Sequence, residues 1–415
     1  MIIKIPNNNI AERKYILDVV FIEFLGLDYQ LEVASNDYEI ILSNNKKLII
    51  KDKFFNNYPN TLEYLKQENI PNSIKELDMF AACFFMLTRW EEYVNKTRDE
   101  HNRFPAYASL AYKEGFLDKP IVNELIEEFK QQLLQLDNSL VFKEQEFKLV
   151  LTHDVDAIYR WKNLVQVLRV AVGDLIKRKN IKLAFDRVLE YIFIKKGLKK
   201  DPFDTFDWLM DVSESVGVKS RFYFMSGGIT EHDNRYKIDE EKSLEIIEKI
   251  KNRNHIIGIH PSYNAYNNFE QLKKEKKFLE QMTNQKIIEG REHYLRFEVP
   301  TTWQIWEDNR MHLDSTCGYA DREGFRCGTG DEFSVFNILT RKKLNLKERA
   351  LIFMDDNHHS YDNISIEESY QRVKKLIELS KNHHSTITLL FHNSIFINNK
   401  KINFRKLYND ILESV

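Results

Sequence analysis

Residues 147–156 read Phe-Lys-Leu-Val-Leu-Thr-His-Asp-Val-Asp, an apolar run that ends in polar and charged groups. The first six of these residues predict a buried β-strand. Later runs of similar length alternate with helical patterns, which predicts a parallel sheet, either open or closed into a barrel. In both versions, functional side chains gather at the carboxyl ends of the strands. The later runs are Ser220–Met225, His255–Ile259, Ala350–Met354 and Thr386–Phe391, and the helical segments include Glu240–Arg253, Phe269–Met282 and Ile366–Leu379.

The first third of the chain has a different pattern, which predicts a smaller α+β domain at residues 1–145. Strand-like runs occupy Tyr38–Ser43 and Lys47–Lys51, and helical periodicity follows at Ile74–Tyr93 and Ile121–Leu136. The polar stretch at 137–139 is the expected boundary, so the domain at 146–415 carries the alternating pattern. The sequence of the first domain does not indicate its role.

A basic helical insertion at about 160–200 interrupts the alternation. It contains Lys177-Arg-Lys179 and Lys195-Lys196, and its aliphatic residues recur at helical spacing. We expect a solvated helical hairpin packed on the sheet. The alternative is a surface that meets phosphate, either of a nucleotide- or lipid-linked sugar or of lipid headgroups in a peripheral membrane contact.

Composition narrows the class of protein. The chain has 415 residues, a formal net charge of −2 and 30% charged residues, so it carries no overall positive field for a nucleic acid partner. No uncharged apolar run approaches the ~20 residues of a transmembrane helix. The N-terminus is too polar for a signal peptide, so the cytoplasm is the expected location. Three cysteines without a Cys-x-x-Cys pair predict buried free thiols rather than a thiolate zinc site.

Two carboxylates end the first strand of the second domain. Asp154 and Asp156 are two residues apart, so their side chains point the same way if the strand continues. Like charges so close repel each other unless a cation or a shared proton intervenes. This arrangement suits one carboxylate that binds a metal and one that acts as a base. A helix-capping role is the alternative for one of them.

Histidine and arginine follow other strand-like runs. His260 follows a run that ends at residue 259, His392 follows another that ends at 391, and Arg291 and His293 come together after a third apolar segment. Imidazole is a common ligand for transition metals. We therefore expect these side chains to converge with the two aspartates at one edge of the sheet.

The order of these motifs resembles the polysaccharide deacetylase family, also called carbohydrate esterase family 4 or the NodB-like homology domain. Thr-x-Asp-x-Asp at 152–156, Gly-Ile-His at 258–260, the arginine motif at 291 and Leu-Leu-Phe-His-Asn at 389–393 carry the resemblance. It covers roughly residues 146–400. It implies a distorted (β/α) barrel with fewer than eight repeats and a divalent metal, usually zinc. The motif at 88–93 resembles an uncharacterised domain that precedes such deacetylases in some bacteria.

The resemblance also implies a role for each motif residue. By position, Asp154 corresponds to the general base, and Asp156 and His260 correspond to metal ligands. His392 corresponds to the general acid that protonates the leaving amine. Arg291 corresponds to the arginine that orients the base.

The sequence departs from the family pattern at one position. The second motif of the family is His-x-x-x-His, but Asn264 stands at the later position, and asparagine is a poor zinc ligand beside imidazole. His293 is our candidate for the third ligand, because it projects on the side of Arg291 if the strand continues. The alternative is a structural or substrate-contacting His293. The resemblance also implies that Asp314, in Leu-Asp-Ser-Thr at 313–316, corresponds to the carboxylate of the family's fourth motif, which tunes the acid histidine.

These features predict a metal-dependent hydrolase that removes an N-acyl group, expected to be acetyl, from an amino sugar of a bacterial surface polysaccharide or its nucleotide- or lipid-linked precursor. Three alternatives remain open: an N-deformylase, a non-catalytic glycan-binding pseudoenzyme, and a phosphoester hydrolase that uses the polar run at 355–359. Aromatic side chains near the motifs are candidates for stacking on a sugar ring, and core packing is the alternative for each. They are Tyr263, Tyr266, Tyr294 and Trp303.

Overall fold

A computed structural model describes residues 1–233, 236–358, 364–397 and 403–415. Its first part is a four-stranded sheet covered by helices. The strands have the order β2-β1-β3-β4, in which β1 and β2 are parallel and the other pairs antiparallel. The elements are β1 (Ile2–Ile5), α1 (Ile10–Leu17), β2 (Gln30–Val33), β3 (Tyr38–Ile41), β4 (Lys47–Ile50), α2 (Met79–Thr88), α3 (Trp90–Val94), α4 (Leu110–Lys113) and α5 (Ile121–Leu136).

The second part alternates strands with helices over most of its length, as the sequence predicts, and the fold is mixed α/β. Its elements are β5 (Lys148–Val155), α6 (Leu164–Ile176), α7 (Ile181–Lys195), α8 (Phe206–Ser215), β6 (Arg221–Phe224), α9 (Glu241–Asn252), β7 (Ile256–Ile259), α10 (Phe269–Thr283), β8 (Glu289–Gly290), α11 (Thr301–Asp308), β9 (Leu313–Asp314), β10 (Phe333–Asn337), β11 (Lys342–Glu348), β12 (Phe353–Met354), α12 (Ile366–Asn382), β13 (Thr386–Leu390) and α13 (Phe404–Glu413).

These strands form one nine-stranded sheet in the order β10-β11-β9-β8-β7-β6-β5-β13-β12. All neighbouring pairs are parallel except the hairpin of β10 and β11. The strand β5 lies between β6 and β13 and is buried along seven of its eight residues. A strand covered on both faces reads as a continuous apolar run, which is why the sequence indicates β5 so clearly.

The strand pairs alone do not close this sheet into the expected barrel, because β10 and β12 are its two ends. The chain nevertheless connects the two sides through residues 349–352, between β11 and β12. In this connection the Leu351 N–H donates to the Cys317 carbonyl and the Ile352 N–H donates to the Thr388 carbonyl, both at 3.1 Å. One short segment thus contacts both the residues that follow β9 and the strand β13 itself.

The two parts of the chain share a continuous apolar core. Buried residues from β1 through α13 belong to one contact cluster, and the ring of Tyr15 stacks on Phe336 of β10 at a centroid distance of 4.7 Å. The four-stranded sheet and the nine-stranded sheet therefore share one apolar core. The three cysteines are buried and free.

The helical prediction for Ile74–Tyr93 is only partly met. Residues 74–76 form a 3₁₀ turn, and α2 begins after Asp78, whose carboxylate accepts the Ala81 N–H at 3.0 Å. Arg89 has a φ of 53° and separates α2 from α3. Asp78 is a typical N-cap residue, whereas a left-handed arginine has no signature in helical periodicity.

A buried ion cluster joins the two parts of the chain. Glu92 of α3 accepts hydrogen bonds from Arg326 Nε at 2.9 Å and from Arg89 Nε at 2.8 Å, and all three side chains are at most 2% exposed. Burial opposes ionisation of Glu92, but the two guanidinium groups outweigh it and lower its pKa to about 2. Breaking such a cluster leaves uncompensated buried charge.

We predict that Glu92→Gln lowers the free energy of unfolding by about 3–5 kcal/mol, because the substitution removes the carboxylate that Arg89 and Arg326 share. Urea unfolding at pH 7 measures the difference. Because the pKa of Glu92 is depressed in the folded state, this contribution is present above the pKa of the unfolded chain and disappears as pH falls toward about 2. The difference between the two proteins should therefore shrink between about pH 5 and 2.

The matched control is Glu128→Gln on the exposed surface of α5, for which we expect a change within about 0.5 kcal/mol. Equal stability of Glu92→Gln and the parent protein would contradict the interpretation.

Candidate metal centre

Three potential ligand atoms meet at the carboxyl ends of neighbouring strands. Asp156 follows β5, His260 follows β7, and His293 lies three residues after β8. His260 Nε2 is 3.4 Å from Asp156 Oδ1 and 2.9 Å from His293 Nδ1, and the third side of the triangle is 3.7 Å. Side chains that are far apart in the sequence thus converge on one point, as expected at this edge of a parallel sheet.

The hydrogen bonds of the two imidazoles determine which nitrogens face this point. His260 Nδ1 lies 2.7 Å from the Arg291 carbonyl, and His293 Nε2 lies 3.0 Å from the His232 carbonyl. Since a carbonyl only accepts, each of these nitrogens donates its proton. In the neutral rings, the two nitrogens 2.9 Å apart therefore both carry lone pairs. Ring orientation by a carbonyl at the second nitrogen is typical of histidine ligands.

These donors fit a divalent cation. When His260 is neutral, two lone pairs and the carboxylate oxygen Asp156 Oδ1, which lacks a hydrogen-bond partner, face one another in a buried place. Burial opposes a charge on His260, but Asp154 and Asp156 raise its pKa, so a bound cation would displace a proton from this ring. Burial alone would raise the pKa of Asp156, but His260, His293 and His392 hold it below its ordinary value. Burial lowers the pKa of His293 to about 4, which favours its neutral form. Two neutral imidazoles and one carboxylate are a common ligand set of catalytic zinc sites.

A strained turn positions His293. From the sequence we expect His293 to project from a continuing strand. The strand β8 instead ends at Gly290, so the ring reaches the site in another way. A 3₁₀ turn over His293–Leu295 brings it there instead, and Tyr294 and Leu295 have φ angles of 61° and 54°. Left-handed backbone at consecutive non-glycine residues is costly and is often found at functional sites. An added Cβ at Gly290 would lie 2.0 Å from the Ile259 carbonyl, so only glycine permits this close approach of β7 and β8.

A buried arginine anchors the second aspartate. Arg291 is fully buried, and its Nη1 donates to Asp154 Oδ1 and to Thr152 Oγ1, both at 2.9 Å. Its Nε and Nη2 donate to the carbonyl and hydroxyl oxygens of Ser315. The second oxygen of Asp154 lies 3.9 Å from His260 Nε2, beside the candidate ligands.

An imidazole–carboxylate pair faces the site from the opposite side. His392 Nδ1 lies 2.8 Å from Asp355 Oδ1, and the His392 N–H donates to Asp355 Oδ2 at 2.7 Å. Burial opposes the charge on His392, but Asp355 with Asp156 and Asp356 raises its pKa well above the ordinary value. Its Nε2 lies 3.9 Å from Asp156 Oδ2. The imidazolium thus points a proton into the site.

One sequence-based expectation, the role of Asp314, needs correction here, whereas Asn264 lies where a poor metal ligand is expected. Asp314 does not contact His392; its Oδ1 accepts hydrogen bonds from the backbone and hydroxyl of Thr316, and Asp355 is the carboxylate that pairs with His392. Asn264 is exposed and its Oδ1 accepts a hydrogen bond from Arg296 at 3.1 Å. It therefore lies outside the triangle of candidate ligands.

The polar run at 355–359 has identifiable partners over most of its length. Asp355 pairs with His392, and His358 contacts Ser369 Oγ at 2.7 Å and Glu323 at 3.0 Å. His359 lies outside the described residues. A second group of potential ligand atoms belongs to Asp355, Asp356 and His392, but the pairing of Asp355 with His392 already accounts for that carboxylate.

A cavity of about 300 Å³ opens onto these side chains, and part of its wall comes from the N-terminal part of the chain. Arg103 lines it, held by Asp99 at 2.7 Å and by the Tyr294 carbonyl at 3.1 Å. Sequence reasoning missed Arg103, which no strand-end signal marks. Of the aromatic candidates, Tyr294 lines the cavity, whereas Trp303 is fully buried and donates to Glu348.

The N-terminal residues match a sequence family whose function is not known. Residues 1–138 match the family of unknown function DUF7033. Among curated proteins, none matches this sequence significantly.

Several solved structures are similar to about two thirds of the chain at low sequence identity. A Mycobacterium smegmatis protein assigned as a polysaccharide deacetylase shares 11% identity, with 65% of this chain and 84% of that chain covered and a TM-score of 0.40. A CE4 family pseudoenzyme from Bacillus anthracis shares 12%, with 65% and 61% covered and a TM-score of 0.32. The polysaccharide deacetylase Bc1974 from Bacillus cereus shares 8%, with 65% and 87% covered and a TM-score of 0.30. Similarity at this level assigns no activity to this chain.

We predict that His293→Ala weakens zinc binding by more than about 100-fold, beyond the 10–100-fold typical of residues that only support a ligand. Asn264→Ala should leave affinity within about threefold, because the asparagine lies outside the ligand triangle. Competitive titration with a chromophoric chelator measures both variants. Loss of binding in Asn264→Ala with retention in His293→Ala would contradict the assignment.

Proposed function

We propose that this protein is a metal-dependent hydrolase that removes an acyl group, acetyl in the first instance, from the nitrogen of an amino sugar. The observation that supports it best is the convergence of Asp156 Oδ1, His260 Nε2 and His293 Nδ1 beside an anchored carboxylate and a charged imidazole. Hydrolysis of a resonance-stabilised amide needs a strong nucleophile and a polarised carbonyl. When bound, a divalent cation supplies both.

Asp154 is the proposed general base. Its Oδ1 is held by Arg291, which leaves Oδ2 on the side of the candidate ligands, 3.9 Å from His260 Nε2. A carboxylate fixed by a buried guanidinium keeps one oxygen in place to accept a proton from water. Arg291 therefore acts as a positioning residue, because its contacts in the structure are to Asp154, Thr152 and Ser315.

His392 is the proposed general acid. Asp355 holds Nδ1, so the ring presents Nε2 to the cavity, and the raised pKa keeps this nitrogen protonated near neutral pH. Protonation of the departing nitrogen prevents expulsion of an unstable amide anion. Asp154 is thus a carboxylate that can accept a proton, and His392 is an imidazolium that can donate one. Hydrolysis by general acid–base catalysis requires both.

The carbohydrate substrate is supported by the motif order and by the cavity. The sequence resembles the polysaccharide deacetylases over residues 146–400, and Tyr294 offers an aromatic ring in the cavity wall. The contacts of residues 349–352 also favour the distorted barrel of that family. Removal of a formyl group instead of acetyl is the close alternative, because the same metal ligands, base and acid would catalyse it.

We propose that Arg103 binds the sugar portion of the substrate. It is 7% exposed, lines the cavity and is fixed by Asp99, so its guanidinium is oriented before the substrate arrives. This would give the N-terminal part of the chain a role in substrate binding. A charged hydrogen bond of this kind is worth about 1.5–3 kcal/mol.

We predict that Asp154→Asn and His392→Gln each lower kcat for acetate release by about 10²–10⁴-fold. Zinc-loaded protein and N-acetylglucosamine oligomers are used, and acetate is measured by an enzyme-coupled assay. Zinc content, measured by mass spectrometry, should stay near one per chain, because neither residue belongs to the proposed ligand triangle. A parent protein that binds zinc but releases no acyl group from polymeric, nucleotide-linked or lipid-linked sugars would leave the pseudoenzyme as the correct interpretation.

We predict that Arg103→Met raises KM about tenfold or more and leaves kcat within about threefold. The lost hydrogen bond to the sugar would stabilise the bound substrate and the transition state equally, so its removal weakens substrate binding without slowing the chemical step. The control is Glu100→Gln, a substitution in the same loop at a side chain that is 86% exposed. Unchanged KM in Arg103→Met, or equal effects in both variants, would reject the proposed contact.

A further inference from the structure

The helical hairpin of α6 and α7 exposes an unusual amount of apolar surface. Of the twenty-two large apolar side chains that are exposed in the described part of the chain, eleven lie between residues 164 and 198. They include Val165 at 66%, Ile176 at 70%, Ile181 at 76% and Phe185 at 61% exposure. Single exposed apolar residues are ordinary, but a contiguous group marks a binding surface.

The exposed residues of α6 form one stripe. At 100° per residue, six of them fall within an arc of about 120°. The face next to this stripe is the one that packs inward, since Val167, Ala171 and Asp174 are buried there. The exposed apolar residues therefore lie on a different face of α6 from the residues that pack inward. Its members are Leu164, Val165, Leu168, Val172, Leu175 and Ile176.

The second helix has an exposed apolar side of its own. Ile181, Phe185 and Ile192 are separated by four and seven residues, which places them on one side of α7. The two helices pack against each other, and Asp174 of α6 forms an ion pair with Arg187 of α7. The hairpin is thus one unit with an apolar outer surface.

The charge of the same segment is strongly positive. Residues 160–200 contain twelve Lys or Arg and three Asp or Glu, a net charge of +9, although the whole chain carries −2. Exposed lysines flank the apolar residues at the tip of the hairpin and at its base. Examples are Lys177 and Lys182 at the tip and Lys195 and Lys196 at the base.

We propose that the α6–α7 hairpin binds the surface of a bilayer that contains anionic lipids. Apolar side chains bordered by lysine are the combination that inserts at the headgroup boundary, where burial of apolar area and attraction to anionic lipid act together. A second copy of this chain fits less well, because two surfaces of charge +9 would face each other. The complementary charge therefore selects the anionic lipid surface as the partner.

The chain segments on either side of the hairpin lie next to the candidate metal centre. The hairpin follows β5, which carries Asp154 and is followed by Asp156, and residues 157 and 205, which flank the hairpin, both contact the residue after His392. Asn393 Nδ2 donates to the Ala157 carbonyl, and Thr205 Oγ1 donates to the Asn393 carbonyl, both at 2.8 Å. Lipid docking would therefore bring a membrane-borne sugar to the cavity edge. This last consequence, unlike lipid binding itself, rests on the proposed function.

Vesicle flotation tests the proposal with the full chain. Phosphatidylcholine vesicles are compared with vesicles that contain 30% phosphatidylglycerol, at about 0.1 M salt. We expect binding to the anionic vesicles and weaker binding to the neutral ones. Each lysine near an anionic membrane increases the affinity about fivefold. The triple variant Lys177→Gln/Lys182→Gln/Lys196→Gln should therefore bind the anionic vesicles about 100-fold more weakly. Leu168→Gln/Val172→Gln/Ile176→Gln should reduce binding to both kinds of vesicle at least tenfold.

The matched control is Lys273→Gln/Lys274→Gln/Lys277→Gln, which removes the same charge from exposed positions on α10. It should bind like the parent protein. Absence of parent binding to the anionic vesicles, or equal loss in the control, overturns the proposal. Analytical ultracentrifugation tests the other occupant of this surface, a second copy of the chain. If the parent protein is a dimer, only the Leu168→Gln/Val172→Gln/Ile176→Gln variant is a monomer, and no protein binds vesicles, the membrane proposal is overturned in favour of the second copy.

Thermal unfolding of each variant shows whether the hairpin still folds, and Lys177→Glu alone provides a milder variant that should still weaken binding about tenfold or more. Acetate release from soluble N-acetylglucosamine oligomers separates this proposal from the proposed function. If the protein hydrolyses the oligomers but does not bind vesicles, only the proposed membrane binding is overturned. If it binds vesicles but does not hydrolyse the oligomers, only the proposed enzymatic function is overturned.

Discussion

The arrangement of the site depends on two imidazoles that each donate one proton to a backbone carbonyl. His260 and His293 are thereby oriented so that their remaining nitrogens face each other and Asp156 Oδ1. Lone pairs and a carboxylate oxygen so close to one another, and away from water, are unfavourable unless a proton or a cation lies between them. The fold imposes this arrangement, because the ends of β5 and β7 and the strained turn after β8 meet there. A cation between them would satisfy all three donors together, which is the basis of the proposed metal site.

The neighbouring groups extend this electrostatic arrangement. On one side, Arg291 holds Asp154 with a fixed oxygen toward the site, and on the other, Asp355 raises the pKa of His392. In the proposed function, these two groups would be the base and the acid that amide hydrolysis requires on either side of a bound metal. The N-terminal part of the chain completes the cavity through Arg103, and Glu92 joins that part to the sheet domain.

Several of these features are readable from the sequence because local patterns encode them. The strand β5 is buried on both faces and reads as an apolar run. Asp154 lies in the last residues of β5, and Asp156, His260 and His392 follow the ends of strands. Other features depend on contacts between distant segments. The short strands β8 and β9 have two residues each, and the approach of His293 depends on positive φ angles that no periodicity reveals. Asp355 follows β12 and carries the same strand-end signal, but Asp314 is the residue that motif position suggested. The sequence indicates the basic hairpin, but only the packing shows that its apolar stripe is exposed.

Anomalous X-ray diffraction from crystals grown with zinc shows whether the three candidate ligands bind the metal. We expect one strong peak at the zinc edge, about 2.0–2.2 Å from Asp156 Oδ1, His260 Nε2 and His293 Nδ1. A peak on Asp355, Asp356 and His392 instead, or an ordered protein with no peak at the triangle, would contradict this expectation.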